Sequence, residues 1–168
     1  VRSIRRFRPE YLAGTPIFYL SLVRNRRFRR CSFRSLMGAF CGGERLTRGV
    51  RRAVERIVRR RGGAVTIREG YGLTETVGPC ATMPENEFRE GSVGIPYPDT
   101  SIAIARPLEA DGRLCWREPG EPGEILVSGP TVMRRYWNNE DATGAKLVAD
   151  EEGRRWLRTG DRGSMDGD

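Results

Sequence analysis

The chain has 168 residues, 38% of them hydrophobic and 31% charged, with 30 Lys and Arg against 22 Asp and Glu, a net charge of +8, and no histidine. That length can make one domain with a real core, while the lack of histidine excludes a Ser-His-Asp triad and the commonest general base. No apolar run reaches the roughly 18 residues that span a bilayer, and no charged-then-apolar leader opens the chain, so a cytoplasmic setting is expected.

The elements follow in chain order. Thr15-Pro16 reads as a helix start, with Thr15 as N-cap and Pro16 in the first turn. The helix continues through an apolar run to Asn25. Residues 35–40 read as a buried strand entering a turn at Gly42-Gly43. A helix begins near Thr47. Its Val50, Ala53, Val54, Ile57 and Val58 recur on one face. Arg51, Arg52, Arg56, Arg59 and Arg60 fill much of the rest and are expected to be solvated. Gly62-Gly63 closes it. Residues 64–68 form the next strand, which delivers Gly70-Tyr71-Gly72 at its end, where ligands of open α/β sheets gather.

From about residue 91 the helical period fades. Residues 101–105 alternate, Asp111-Gly112 is a turn before Leu114-Cys115-Trp116, and residues 124–128 and 156–158 are further strands. A link over 133–139 and a short helix over 141–147 separate the last two. Asp166-Gly167 reads as a hairpin turn. The expected fold class is α/β: a parallel strand-helix unit over 1–90, then a β-rich, distorted barrel-like subdomain over 91–168.

Charge divides the same way. Residues 1–68 hold nineteen arginines against Glu10, Glu44 and Glu55, a net of +16; residues 69–168 have a net of −8. A basic half invites a nucleic-acid reading. The arginine runs lack interleaved aromatics except Phe28, and no nucleic-acid module accompanies them, so no specific nucleic acid is expected. Cys31, Cys41, Cys80 and Cys115 form no Cys-x-x-Cys pair, which speaks for free thiols in a reducing compartment rather than a zinc site.

Two segments carry the chemistry. Tyr71-Gly72-Leu73-Thr74-Glu75 and Leu157-Arg158-Thr159-Gly160-Asp161 each set glycine beside a hydroxyl and a carboxylate. Glycine lets the main chain approach a flat base or a phosphate. Glu75 is a hard oxygen ligand suited to Mg²⁺. Asp161 can accept both hydrogen bonds of a ribose diol.

Together, in this order, they resemble the adenylate-forming superfamily of acyl-CoA synthetases, luciferases and adenylation domains. Further matching blocks are Ala13-Gly14-Thr15-Pro16-Ile17-Phe18-Tyr19, Ala39-Phe40-Cys41-Gly42-Gly43-Glu44, Gly91-Ser92-Val93-Gly94, Gly123-Glu124-Ile125-Leu126, Tyr136-Trp137-Asn138 and Asp141-Ala142-Thr143. Leu73, where peptide-synthetase adenylation domains tend to carry proline, points to CoA ligases. The runs at 96–99 and 130–133 look most like medium- to long-chain fatty acyl-CoA synthetases. Arg135 and Ser164 depart from the family's habit.

The resemblance implies a two-step reaction of ATP, Mg²⁺, a fatty acid and CoA. The acid would be its own nucleophile, so a histidine base is not required. Thr74 and Glu75 would serve the phosphates and the metal. Gly70, Tyr71, Gly72 and Leu73 would face the base, Asp161 the ribose, and Gly42, Gly43 and Glu44 the adenine and acyl carboxylate. Phe18 and Tyr19 are as much core as acyl-tunnel candidates, and Cys80 suits an acyl-site wall. The family's phosphate loop and acyl-adenylating lysine have no match; Lys146 does not fit the lysine motif. The expectation is an internal piece of the large N-terminal domain, inactive alone. A carrier-protein-loading adenylation domain and a non-catalytic arginine-rich nucleic-acid module stand as alternatives. Oligomeric state is not legible.

Overall fold

The computed structural model describes residues 1–106 and 113–167, so the turn expected at Asp111-Gly112 lies outside the described residues, as does Asp168. The chain forms two compact units: Val1–Gly72 with Ala81–Ile95, and Leu73–Cys80 with Pro96–Asp168.

The first unit holds α1 (Arg2–Phe7), β1 (Tyr11–Gly14), α2 (Pro16–Arg24), β2 (Gly38–Cys41), α3 (Arg48–Arg59) and most of β3 (Ile67–Leu73). β1 pairs with β2, and β2 with β3, all parallel, as expected. Their sheet continues through β4 (Gly78–Thr82) and β5 (Ile95–Pro96). α2 starts as the sequence signals, with Thr15 as N-cap and proline in the first turn. Tyr19, Phe28, Phe33, Val54, Val58 and Ile67 are the buried centre. The Tyr19 hydroxyl lies 2.7 Å from the Phe40 carbonyl and 3.2 Å from that of Leu12. A fully buried phenol needs such partners, and they make Tyr19 a core residue rather than a tunnel wall.

Three expectations change. The strand expected over 35–40 occupies Gly38–Cys41. Its forerunners turn instead: Leu36 N–H donates to Phe33, and Met37 and Gly38 both donate to the Glu10 carbonyl. The strand expected over 64–68 runs from Ile67 to Leu73, so Gly70-Tyr71-Gly72 lie inside β3 and not in a loop at its end. The glycines permit close approach of the next strand: a Cβ on Gly70 would stand 3.1 Å from the Ala81 carbonyl oxygen. Met83 N–H donates to Glu69 O at 3.1 Å, so the returning chain supplies hydrogen bonds that glycine's weak strand propensity does not.

The third change concerns the arginine face of α3. Val54 and Val58 are buried as the period requires, but so is Arg51. Its guanidinium lies 2.7 Å from Glu90 and 4.4 Å from the Phe88 ring centroid. Stacking plus a carboxylate is how a buried guanidinium is made tolerable. Arg48 grips the same Glu90 from the exposed side at 2.6 Å.

The second unit adds β6 (Ser101–Ala105), β7 (Gly123–Ser128), α4 (Glu140–Lys146), β8 (Leu147–Ala149) and β9 (Arg155–Gly163). The β-rich expectation is met by a four-stranded antiparallel sheet in the order β6-β7-β9-β8. Ala105, Leu126 and Trp156 pack as one buried cluster of this unit, with the Trp116 ring 5.1 Å from that of Trp156. Asn139 caps α4 through a 3.0 Å bond from Ala142 N–H. Among the described residues no helix is long and apolar enough to cross a membrane.

Candidate functional site

In the first unit, the parallel strands bring two glycine segments together. Gly42 follows β2 and donates its N–H to the Gly14 carbonyl at 3.2 Å. A Cβ on Gly42 would stand 3.6 Å from the Gly70 carbonyl. Gly43 takes φ +86°, a conformation that favours glycine. Glu44 is exposed, and Tyr71 and Gly72 are half-buried. Glu69 is committed to structure, accepting from Leu46 N–H at 3.0 Å. Beside it Cys41 is pushed up to about 11, first by burial and then by the Glu69 charge. Such a thiol is no nucleophile at neutral pH.

Leu73, Thr74, Glu75 and Asp161 belong to the second unit. Thr74–Thr76 is a single 3₁₀ turn. Buried Thr76 holds it: its hydroxyl oxygen accepts from Leu73 N–H at 2.9 Å and lies 2.7 Å from the Gly78 carbonyl. Thr74 and Glu75 are left outward, with Thr74 exposed and Glu75 half-buried. Val77 closes the turn at φ 62°, an uncommon conformation for a β-branched residue. Cys80, at the end of this segment, is buried, and burial raises its thiol.

The Glu75 carboxylate is held below its ordinary range, chiefly because the Tyr136 hydroxyl donates to it at 2.6 Å, with a smaller contribution from the Lys146 charge. The same bond raises the Tyr136 phenol. Lys146 Nζ lies 3.4 Å from the Thr159 carbonyl. One ammonium therefore relates the Glu75 turn to the Thr159-Gly160-Asp161 segment.

That segment is a bulge. Glu124 pairs with Arg162, and Leu126 with Arg158, so Thr159, Gly160 and Asp161 on β9 oppose Ile125 alone on β7. The Thr159 hydroxyl bonds the Ile125 carbonyl at 2.8 Å and accepts from Asp161 N–H at 3.0 Å. Gly160 takes φ +82°, and its N–H donates to Glu124 at 3.1 Å. The other Glu124 oxygen accepts from Arg158 at 2.8 Å. Bulges re-aim side chains, and this one leaves Asp161 exposed on an otherwise regular strand.

The structure thus brings Gly42 beside Gly70 in one unit, and groups Glu75 with the Asp161 bulge through Lys146 in the other. Sequence reasoning passed over Tyr136, Lys146 and Glu124. Tyr136 and Glu124 stood in matching blocks, and Lys146 was conspicuous as the single lysine of the sequence.

Among the described residues no group of three or more His, Cys, Asp or Glu could hold a metal ion. A caged metal is therefore not what these residues fit. A lone ionised carboxylate does fit Mg²⁺ shared with a nucleotide's phosphates, since Mg²⁺ keeps waters and takes one or two protein carboxylates in such sites.

The parallel α/β unit and the β-rich unit are the frame for the comparisons, which supply the family. The AMP-binding enzyme family matches residues 1–137. The chain belongs to that family. It is 34% identical over 167 residues to the long-chain-fatty-acid–CoA ligase of Bacillus subtilis (strain 168), covering 99% of this chain and 27% of the relative. It is 34% identical over 162 residues to 4-coumarate–CoA ligase-like 6 of Oryza sativa subsp. japonica, covering 95% of this chain and 25% of that one. Among solved structures, VinN superposes with a TM-score of 0.78 at 32% identity, covering 99% of this chain and 40% of its own. A long-chain-fatty-acid–CoA ligase from Archaeoglobus fulgidus shares the fold, with a TM-score of 0.83 at 22% identity, covering 98% of this chain and 34% of its own. The chain spans about a quarter of the length of these curated relatives.

Proposed function

We propose that the chain serves an ATP-dependent acyl-CoA ligase acting on a fatty acid in the cytoplasm, as two parts of one AMP-binding domain with a boundary near residue 90. A carboxylate oxygen attacks the α-phosphate of ATP, expelling pyrophosphate and forming an acyl-adenylate. The CoA thiol then attacks the acyl carbonyl, expelling AMP. Thr74 binds phosphate through its hydroxyl, and Glu75 takes Mg²⁺. Gly70, Tyr71, Gly72 and Leu73 lie along the base, Asp161 accepts from the ribose, and Gly42, Gly43 and Glu44 line the adenine and acyl carboxylate. Bound Mg²⁺ would supply charge neutralisation at the phosphates.

The observation that supports this most is the pairing of an outward Glu75, held ionised, with a bulge that exposes Asp161. Both carboxylates occupy positions the family motifs carry. The fatty-acid preference is supported by the relatives named long-chain-fatty-acid–CoA ligases, those of Bacillus subtilis and Haemophilus influenzae among them. Burial of Arg51 removes one cation from the basic face that a nucleic-acid module would need.

Calorimetric titration with AMP and with a non-hydrolysable dodecanoyl-adenylate analogue tests the reading. Saturable binding of the analogue is expected. Asp161→Ala should weaken it tenfold or more, because a charge-assisted hydrogen bond contributes roughly 1.5–3 kcal/mol. Equal binding by the Asp161→Ala chain would sink the assignment, and salt-dependent binding to random duplex DNA with no analogue binding would favour the nucleic-acid module.

A further inference from the structure

Tyr136 is a half-buried aromatic in an irregular link, outside every element and in a different matching block from the one that carries the Glu75 turn. It is fixed at both ends. Its backbone N–H donates to the Thr143 hydroxyl at 3.0 Å, and that hydroxyl in turn bonds the Asn139 carbonyl at 2.7 Å. Its phenol donates to Glu75 Oε1 at 2.6 Å. The helix cap at Asn139 and the Thr143 anchor therefore set where the phenol stands.

A tether would explain the contact if the link needed one. It already has one: Met133 N–H donates to the Glu75 carbonyl at 2.7 Å. The phenol bond is additional, and it acts on the carboxylate instead of the backbone. Glutamate has three rotatable side-chain bonds and loses much freedom when it is ordered. A donor fixed on one oxygen removes that freedom before any ligand arrives.

We propose that Tyr136 is a positioning residue for the Glu75 carboxylate, presenting it in one orientation to a divalent cation shared with nucleotide phosphates. The inference rests on the reading of Glu75 given above. Hydrogen-bond partners of a ligating carboxylate orient it, and their loss costs about 10–100-fold in metal affinity. Lys146, placed at the Thr159 carbonyl, supplies charge nearby but no bond to Glu75 is needed from it.

The test uses the chain with ATP and Mn²⁺ as the probe, bound Mn²⁺ being counted by electron paramagnetic resonance. Tyr136→Phe should bind Mn²⁺ about tenfold or more weakly, with its affinity for ATP in the absence of metal unchanged. Glu75→Gln should lose the metal response. A purely packing role for Tyr136 would move ATP and metal affinity together. If Tyr136→Phe binds Mn²⁺ as tightly as the unaltered chain while Glu75→Gln does not, the positioning role is wrong and the reading of Glu75 survives. If Glu75→Gln also keeps the metal, both fall. Should Tyr136→Phe fail to fold, 3-fluorotyrosine placed at position 136 alone decides. Its fluorine resonance should shift when Mg²⁺ and ATP are added, and not in the Glu75→Gln background. No shift overturns the proposal.

Discussion

The two units solve the problem of charge in opposite ways. The first carries nearly all the surplus arginine, yet its centre is aromatic: Tyr19 and Phe28 are fully buried. Even its one buried cation, Arg51, is stacked and paired. The second buries Ile104, Leu126, Val127, Trp156 and Leu157, and spends its polar side chains on irregular backbone. Glu124 braces a bulge, Asp150 takes the Trp156 indole N–H at 2.8 Å, and Thr76 holds a turn. The lesson is that a hydrophobic centre supports the regular strands of the first unit, whereas side-chain hydrogen bonds shape the segments that present Glu75 and Asp161.

The contrast breaks most visibly in the cores. Phe28→Ala should cost about 3–5 kcal/mol and Leu126→Ala about 2–5 kcal/mol. All three tryptophans, Trp116, Trp137 and Trp156, lie in the second unit, whereas α1, α2 and α3 lie in the first. In urea, loss of helical circular dichroism should respond to Phe28→Ala and the tryptophan emission shift to Leu126→Ala. Identical shifts of both probes in both variants would mean the units unfold as one.

A smaller effect sharpens the second half of the contrast. Glu124→Ala removes acceptors from Gly160 N–H and Arg158, and should destabilise by about 1.5–3 kcal/mol. It should also quicken amide exchange at residues 160–162 more than at 156–157. Uniform exchange along β9 would show that the bulge does not depend on Glu124.

Much of the first unit was legible because its signals are local and redundant. The proline after Thr15, the valine period of α3 and the glycines after β2 each act within a few residues. The β3 boundary was not legible, since glycines mark a strand end unless another strand comes close, and that approach depends on residues 81–83. Arg51 was misread for the same reason: its partners Phe88 and Glu90 lie about forty residues away. In the candidate site, Glu75 and Asp161 were named from their motifs. The bulge was invisible because register is a property of two strands, and Tyr136 because its partner is 61 residues distant.

The pH dependence of stability isolates the Tyr136 bond more gently. Glu75 has a depressed value in the folded chain, so its contribution is present above the ordinary carboxylate range and is lost as pH falls through the depressed value. Tyr136 has a raised value, so its share is complete below the ordinary phenol range and is lost as pH rises through the raised one. Tyr136→Phe should therefore flatten both limbs of a melting-temperature profile. Parallel profiles for the two chains would show that the bond adds nothing in solution.

The least disturbing probe is thiol labelling. Cys31, Cys41 and Cys80 are buried and Cys115 is partly exposed. Iodoacetamide near neutral pH should modify Cys115 first, and Cys41, pushed up to about 11, should resist until the first unit opens. Early labelling at Cys41 would mean that the centre of the parallel sheet is not closed.

Lys146 has one more consequence. In a sequence whose positive charge is otherwise all arginine, it is the only lysine, and its amine is seated beside the Thr159 carbonyl. Reductive methylation with ¹³C-formaldehyde would give a lysine spectrum of a single line, read without mutagenesis or assignment. Any ligand that alters the Glu75 turn or the Asp161 bulge would move it, so the chain comes with its own spectroscopic reporter at the place where one would choose to put it.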